Sequence, residues 1–383
     1  MLVGKQLQRM ASTLCKHLSL APVLTRQYTL YNVKTRLLVS SSQRSAFCHK
    51  RTLAEQSKKQ TDVSAGLRYQ QLGHRGLIRF AGPDSTQFLQ GLITNDMNCL
   101  QRELDCHKMA LYAFLLNVKG RVVCDMFVYN ISKAPDTHIY LLEVDTELVD
   151  EVHTTMKKYR LRKKVEIAVT DELKVMAVFP IEDGPFDAEL TIGGTDGAPL
   201  VAVEKDPRLA AMGYRLVLPA FDDVTAHLPG VKEADNPSAY HMKRLRLGIG
   251  EGPTDHPPGK ALPLECNAAY LHGVTFDKGC YIGQELTART HHTGVIRKRI
   301  MPLLIDSQSP VDLQAEDVLV NSNGKECGIF RSAIGQYGLG LMRVDEAKGP
   351  LTVRRKGVEK SDVKTIDGVT VTARQPFWWP SST

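Results

Sequence analysis

The first 54 residues contain no aspartate and no glutamate, yet they carry nine lysines and arginines and eleven serines and threonines. A segment so biased cannot bury a core, so the fold has to be drawn from the residues after it, starting near Glu55, the first acid. Leu30, Val33, Leu37 and Leu38 fall on one helical face, with Lys34 and Arg36 off it. A basic, hydroxyl-rich, acid-free and amphipathic leader has the composition of a mitochondrial transit peptide, and residues 1–54 are read as one. A basic tail for nucleic acid is the alternative. A secretory signal needs an unbroken apolar core after its first basic residues, and none follows here.

The leader also carries the positive charge. The chain has 49 basic and 42 acidic residues, and without the leader's nine, 40 face 42, a net charge of −2. A general polyanion-binding surface is not implied, and no nucleic-acid partner is expected. Two basic clusters remain, Lys157 to Lys164 and Arg297 to Arg299, each read as a solvated face with an anionic small molecule as the sharper alternative. No run of 18 apolar residues occurs, so no membrane-spanning helix is expected. Beyond the leader lie Cys99, Cys106, Cys124, Cys266, Cys280 and Cys327, with no CxxC pair among them. That spacing removes the usual zinc-ribbon and ferredoxin signatures, and the reducing mitochondrial matrix argues against a disulfide framework.

The remaining chain, about 330 residues, mixes helical and strand patterns without strict alternation, an α+β texture. GPDSTQFLQGLIT reads as a helix capped near Asp84, with Phe88, Leu89, Leu92 and Ile93 on its buried stripe. VVCDMFVYN alternates as a strand, with Cys124, Met126 and Val128 on one face and Asp125, Phe127 and Tyr129 on the other. Further strands are predicted at HIYLLEV, KVEIAV and KVMAVF, and a helix on which Leu148, Val152, Met156 and Tyr159 line up. Residues 182–199 read as a loop, and AYHMKRLRL as a helix ending at Gly248 before the loop GIGEGPTDHPPG. From about residue 295 the texture turns to strands, with a hairpin signal at Asn323-Gly324, which predicts a small antiparallel β-barrel over 295–376.

Several chemistries are absent from the sequence: GxxxxGK[ST], HExxH and GxSxG do not occur. GIGEG is followed by proline and preceded by a helix, which fails the dinucleotide fingerprint. His291 and His292 stand at no common metal-ligand spacing from Cys280 and are read as ordinary histidines. What stands out is KGCYIGQE, Lys278 to Glu285, where Cys280 is bracketed by Gly279 and, three residues on, Gly283. Inert buried cysteines are usually wrapped in larger apolar neighbours, so this stretch reads as built for access. Lys278, Arg289 and a protonated His291 would favour the thiolate. Gly279 and Gly283 are expected to shape the loop, and Gln284 and Glu285 to bond its backbone or cap the next segment.

Read together, GPDSTQFLQGLITND, FLLNVKGRVVCD, YRLRKKV and LPLECNAAYLHGVTFDKGCYIGQELTARTHHTGVIRKR resemble the YgfZ-type folate-binding family, relatives of the glycine-cleavage aminomethyltransferase (T-protein), over about residues 66–376. With the leader, the resemblance is to the mitochondrial branch that acts late in iron–sulfur cluster assembly. It implies an aminomethyltransferase-like, multi-lobed α+β body, residues 66–294, around a central channel that accepts tetrahydrofolate, followed by the barrel. It also implies the hallmark Lys278, Gly279, Cys280, Tyr281, Gly283, Gln284, Glu285 and Arg289 as the functional motif. The transferases carry two adjacent aspartates where this chain has Cys124-Asp125, and an aromatic residue in place of Cys280. A thiol does not replace a permanently ionised carboxylate at neutral pH. Asp125 either keeps a folate-facing role or lies on a solvated strand edge. The expected function is therefore a non-enzymatic assembly factor for [4Fe-4S] proteins. In it Cys280 shares a [2Fe-2S] cluster with an A-type scaffold partner, and folate binds with its tail toward one of the two basic clusters. A tetrahydrofolate-dependent one-carbon transferase is the alternative.

Overall fold

The computed structural model describes residues 66–100, 109–134, 137–193, 200–307, 312–357 and 365–380. The leader lies outside the described residues, and with it the transit-peptide reading, as does Cys106. Two five-stranded sheets and a closed barrel are built from the rest. The first sheet runs β10 (Lys232–Glu233), β1 (Leu67–Gln71), β7 (Leu173–Pro180), β9 (Tyr214–Pro219) and β8 (Ala202–Lys205). The second runs β3 (Ala110–Leu116), β4 (Val122–Asn130), β5 (Ile139–Asp145), β2 (Arg75–Ala81) and β6 (Glu166–Thr170). The chain lays down one strand of the first sheet, builds the whole of the second, and then returns to finish the first. This interleaving ties the two sheets into one body, an α+β fold as the sequence pattern predicts.

Strand β4 shows why the sheets stack. Its even positions, Cys124, Met126 and Val128, join Phe88, Leu89, Leu92 and Ile93 around helix α1 (Ser85–Gln90), and Val152 and Met156 of helix α2 (Val149–Arg160), in one core. Its odd positions Phe127 and Tyr129, with Tyr112 and Phe114 of β3, face the first sheet, where Val175, Ala177, Phe179 and Val217 complete a second core. Asp125 shares that inner face and is 1% exposed, so the solvated-edge reading is overturned: both faces of β4 are covered. Two helix expectations also need correction. The Asp84 carboxylate does not cap α1 but accepts from the Lys164 backbone N–H at 2.7 Å, and Tyr159 is exposed because the buried stripe of α2 ends at Met156.

Helix α3 (Ala239–Leu247) stops where the sequence places its end. Gly248 takes φ +76°, a left-handed conformation that residues with a Cβ avoid, and its N–H reaches back to the Arg244 and Leu245 carbonyls. The segment after it, expected as loop, contains one helical turn, α4 (Gly252–Asp255). Leu245 of α3 packs with Ile300, Leu339 and Leu341 of the barrel, and the Trp378 indole N–H donates to the Leu247 carbonyl at 2.7 Å, so α3 is the seam between body and barrel. The barrel closes in the order β11 (Lys298–Ser307), β14 (Tyr337–Arg343), β13 (Glu326–Ile334), β12 (Val318–Val320), β15 (Pro350–Arg354) and β16 (Val369–Ala373), with every neighbouring pair antiparallel. Its core holds Met301, Leu303, Leu319, Phe330, Leu351 and Val371, and Asn323-Gly324 forms the turn between β12 and β13.

Candidate functional site

The loop that carries Cys280 is fastened on both sides of the thiol. On one side Lys278 is buried, and its ammonium donates to the carbonyls of Gln90, Ile93 and Asn95 at 2.7, 2.8 and 2.7 Å. On the other, Tyr281 is buried in the inter-sheet core, and the Ile282 N–H donates to the Gly91 carbonyl at 3.2 Å. The receiving segment is itself held. Thr94 Oγ1 donates to the Gly273 carbonyl, Asn95 Nδ2 donates to the carbonyls of Tyr112 and His272, and Thr275 Oγ1 donates to Asn95 Oδ1. Between these anchors Gly279 and Cys280 are left exposed. The accessible thiol is thus presented by a loop that its neighbours hold rigidly.

Gly283 closes the loop and starts helix α5 (Gln284–Thr293). Its φ is +78°, and a Cβ there would lie 2.4 Å from the Asn117 carbonyl oxygen and 2.9 Å from Leu116 Cβ, so glycine is required on two grounds. Gly279 differs: a Cβ would meet nothing within 4 Å, and the expectation that it shapes the loop is corrected. Gln284 Oε1 accepts from the Tyr281 N–H at 3.4 Å, a backbone contact of the expected kind. Glu285 points to solvent and pairs with Arg289, one turn on, at 3.9 Å.

The expected cationic support of the thiolate is differently arranged. Lys278 spends its ammonium on three carbonyls, burial draws its pKa down to about 8 against the pull of Asp96, and its Nζ lies 5.1 Å from the Tyr281 ring centre. Arg289 faces Glu285, and the His291 ring stacks on Phe276 with centroids 3.5 Å apart. Lys278 therefore positions the loop. The other described cysteines sit elsewhere: Cys124, Cys266 and Cys327 are buried in three different cores, and burial raises the pKa of each thiol. Cys99 is exposed on a 3-10 turn, Met97–Leu100.

A second constellation surrounds Asp125, between the sheets. Glu143 of β5 binds Arg75 of β2 at 2.8 Å, the Tyr129 hydroxyl at 2.6 Å, and Arg215 of β9. Glu251 binds Arg208 at 2.7 Å, Arg215 at 2.9 Å, the Tyr240 hydroxyl at 2.7 Å and His74 at 3.0 Å. Asp206 binds Arg208 at 2.8 Å and Arg215 at 3.3 Å. Burial opposes these charges, yet Arg208 and Arg215 hold the Glu251 carboxyl well below the usual range, and Asp125 and Glu143 raise the pKa of Arg75. Asp125 Oδ1 accepts from the Gly252 N–H at 2.9 Å, while Oδ2 lies 3.7 Å from Arg75 Nη2. Asp125 Oδ2, Arg75 Nη1 and the Tyr112 hydroxyl are buried without a hydrogen-bond partner among the described residues. Four carboxylates here face three guanidiniums, so the cluster carries one surplus negative charge.

Residues 297–381 match the family model for the CAF17 C-terminal beta-barrel domain. Over 317 residues the chain is 38% identical to "Iron-sulfur cluster assembly factor IBA57, mitochondrial" of Mus musculus, covering 81% of this chain and 85% of the relative. The protein of the same name in Homo sapiens is 37% identical, with 84% and 88% covered, and an IBA57 homolog of Mycosarcoma maydis is 32% identical, with 80% and 83% covered. The chain belongs to the IBA57 family of mitochondrial iron–sulfur cluster assembly factors. Its fold is shared with the crystal structure of glycine cleavage system aminomethyltransferase T from Bartonella henselae, at a TM-score of 0.58 and 15% identity, covering 84% of this chain and 89% of that one.

In this IBA57 family member the sequence motif and its supports are far apart in the chain. Lys278 reaches back more than 180 residues to the carbonyls it binds. Thr94 and Asn95, which hold those carbonyls in place, were not singled out as site residues. Their signal is two hydrogen-bonding residues that close the otherwise apolar stretch GLITN. Apart from Asp206, two residues before Arg208, the cluster around Asp125 gives no local signal, since Arg75 meets Glu143 across neighbouring strands and Arg208 and Arg215 meet Glu251 and Glu143 from far along the chain. Of the basic clusters, Arg299 is taken up inside the fold, with its guanidinium 3.9 Å from the Tyr270 ring centre and bonded to the Leu264 carbonyl.

Proposed function

We propose that this mitochondrial assembly factor supports maturation of [4Fe-4S] proteins by lending the Cys280 thiolate as one ligand of a [2Fe-2S] cluster whose other ligands come from an A-type scaffold partner. The observation that carries this reading is the exposed thiol in a loop anchored at Lys278 and Tyr281. A cluster of this type takes four protein ligands. Cys124, Cys266 and Cys327 are buried in separate cores, so the sharing arrangement suits this chain better than a cluster of its own. The protein then acts by binding and without turnover.

Tetrahydrofolate binding belongs to the same reading. The unpartnered Asp125 Oδ2, Arg75 Nη1 and Tyr112 hydroxyl offer an acceptor and donors together, beside a surplus negative charge, and a pterin edge carries complementary donors and acceptors. Those residues would hold it. Transferase chemistry is less well served, because Cys124 is buried and burial raises its thiol pKa, so the position next to Asp125 in the chain supplies no second ionised acid.

The test is anaerobic mixing of the chain lacking residues 1–54 with an A-type scaffold, apo or loaded with [2Fe-2S], followed by size-exclusion chromatography and visible spectroscopy. A complex is expected with the loaded scaffold alone. Cys280→Ser should abolish it and leave stability within about 0.5 kcal/mol, since the thiol is exposed and supports little packing. Cys99→Ser should change neither. A Cys280→Ser protein that still forms the cluster-dependent complex would remove this residue from the ligand role, and stoichiometric release of methylene-tetrahydrofolate from a donor would favour the transferase.

A further inference from the structure

Helix α5 has a second face. Its N-terminus follows the thiol loop, while Leu286, Thr287 and Thr290 on its flank close a pocket of about 330 Å³ against the strand that enters the barrel. Leu262, Leu264 and Ile296 continue the apolar lining, and Arg297, Lys298 and Arg343 bring three cations to it. Arg343 and Lys298 are register partners across β14 and β11, so the sheet itself sets them side by side. The pocket shares no residue with the ion cluster around Asp125.

Two independent observations give the pocket a chemistry. The first is that its cations are unspent. Among the described residues, neither Arg297, Lys298 nor Arg343 has a carboxylate within 4.0 Å or a side-chain hydrogen bond, whereas Arg331, Arg354 and Arg355 of the same barrel all pair with carboxylates. Three like charges held close, with Glu265 the one carboxylate lining the pocket beside them, repel one another, and the arrangement is relieved by an anion. The second observation is Thr287, which is 2% exposed and whose hydroxyl has no hydrogen-bond partner among the described residues. Buried hydroxyls are almost always bonded, so this one marks a place for an atom that the chain does not supply. One acid, Glu265, also lines the pocket; burial raises its carboxyl pKa, while Lys298, Arg121 and Arg331 pull the other way.

We infer that this pocket binds a small amphipathic anion, a carboxylate or phosphate ester on a compact apolar body. The three cations take the charged end, the leucines and Ile296 take the body, and the Thr287 hydroxyl donates to a ligand oxygen. A volume of about 330 Å³ lies at the small end of ligand cavities, which span about 300 to 1,000 Å³, so the body is short. The ligand would sit directly behind the helix whose start presents Cys280.

Hexanoate and hexyl phosphate are suitable probes, with hexanol as the neutral control, titrated calorimetrically into the full chain. One saturable site is expected for either anion, weakening as salt rises, with hexanol at least about tenfold weaker. Arg297→Gln and Arg343→Gln should each weaken the anions by about tenfold, the loss of one charge-assisted hydrogen bond. Thr287→Val, which keeps the shape, should weaken them without moving the melting temperature, and Glu265→Gln, which removes a repelling charge, should tighten them. Hexanol binding as tightly as hexanoate would overturn the inference, as would absence of saturable binding by either anion. Indifference of the anions to Arg297→Gln and Arg343→Gln would overturn it equally.

Discussion

The Lys278 ammonium has three hydrogens, and the fold supplies three carbonyls to receive them. Lys278→Met keeps the apolar stem and removes every donor, leaving the Gln90, Ile93 and Asn95 carbonyls short of a partner at a cost of about 1–3 kcal/mol for each buried group left unsatisfied. Partial rehydration trims the sum, and a loss of about 2–4 kcal/mol in urea unfolding is expected, with faster amide exchange in residues 273–282 and none in the barrel. Unchanged stability would show that the lysine is not the anchor. Histidine 241 offers a pH test at the same scale. Burial, Arg244 and His74 hold its pKa down to about 4, and its Nδ1 accepts from Arg244 Nε at 3.2 Å, a bond that protonation destroys. An unfolded chain takes up that proton near pH 6.5. Between about 6.5 and 4 the unfolded state therefore binds more protons, and this residue's stabilisation, present above that window, is lost as pH falls through it. His241→Gln should flatten the fall measured between pH 7 and pH 5. Glu204, whose carboxyl burial raises to about 7, works in the opposite sense, but it is common to both proteins and cancels in the comparison.

At the scale of elements, helix α5 depends on one glycine and not on the other. Gly283→Ala places a Cβ 2.4 Å from the Asn117 oxygen at φ +78°, so the loop between β3 and β4 and the start of α5 would both have to move. A loss of at least about 2 kcal/mol is expected, combining the left-handed backbone penalty with the clash. Gly279→Ala meets open space and should stay within about 0.5 kcal/mol. Thermal melts of the two single variants check this, and equal losses would contradict it. The sequence treats the pair alike because both glycines flank the same thiol; what separates them is the Asn117 turn, more than 160 residues away. Elements bounded by their own residues were legible, as with α3 ending at Gly248 and the hairpin turning at Asn323-Gly324. Elements bounded by tertiary contacts were not. The carboxylate of Asp84 is claimed by Lys164 from beyond α2, and the run of apolar residues that suggested a longer α1 continues as non-helical chain still buried at Leu92 and Ile93.

For the molecule as a whole, the interleaved sheets are held face to face by charge as well as by apolar packing. The α+β class, the barrel and the exposed thiol could be read from periodicity, turn residues and the KGCYIGQE motif. The ion cluster could not, because Glu143 and Arg215 are 72 residues apart and lie on strands of different sheets. Arg215 is its hub, touching Glu143, Asp206, Glu251 and the Tyr240 hydroxyl, with its guanidinium 3.7 Å from the Phe127 ring centre. Arg215→Met preserves much of the apolar stem but leaves four buried carboxylates with two guanidiniums. Removing one partner of a buried ion pair costs about 3–5 kcal/mol, chiefly because the other charge stays buried without its counter-ion. We expect a loss of that size in urea unfolding. For comparison, Lys205→Gln breaks the exposed pair with Asp187 in the loop before β8 and should cost no more than about 1 kcal/mol. Two further readouts separate charge from packing. Added salt should not restore the variant, since buried charges are poorly screened. Acid should narrow its deficit relative to the unsubstituted chain. Once Arg215 is gone, Asp206 and Glu251 lose a cation that favours their ionised forms, so the folded variant takes up protons at higher pH than before and gains stability from them as pH falls. A deficit that stays constant from pH 7 to pH 5 would mean that Arg215 contributes through packing alone.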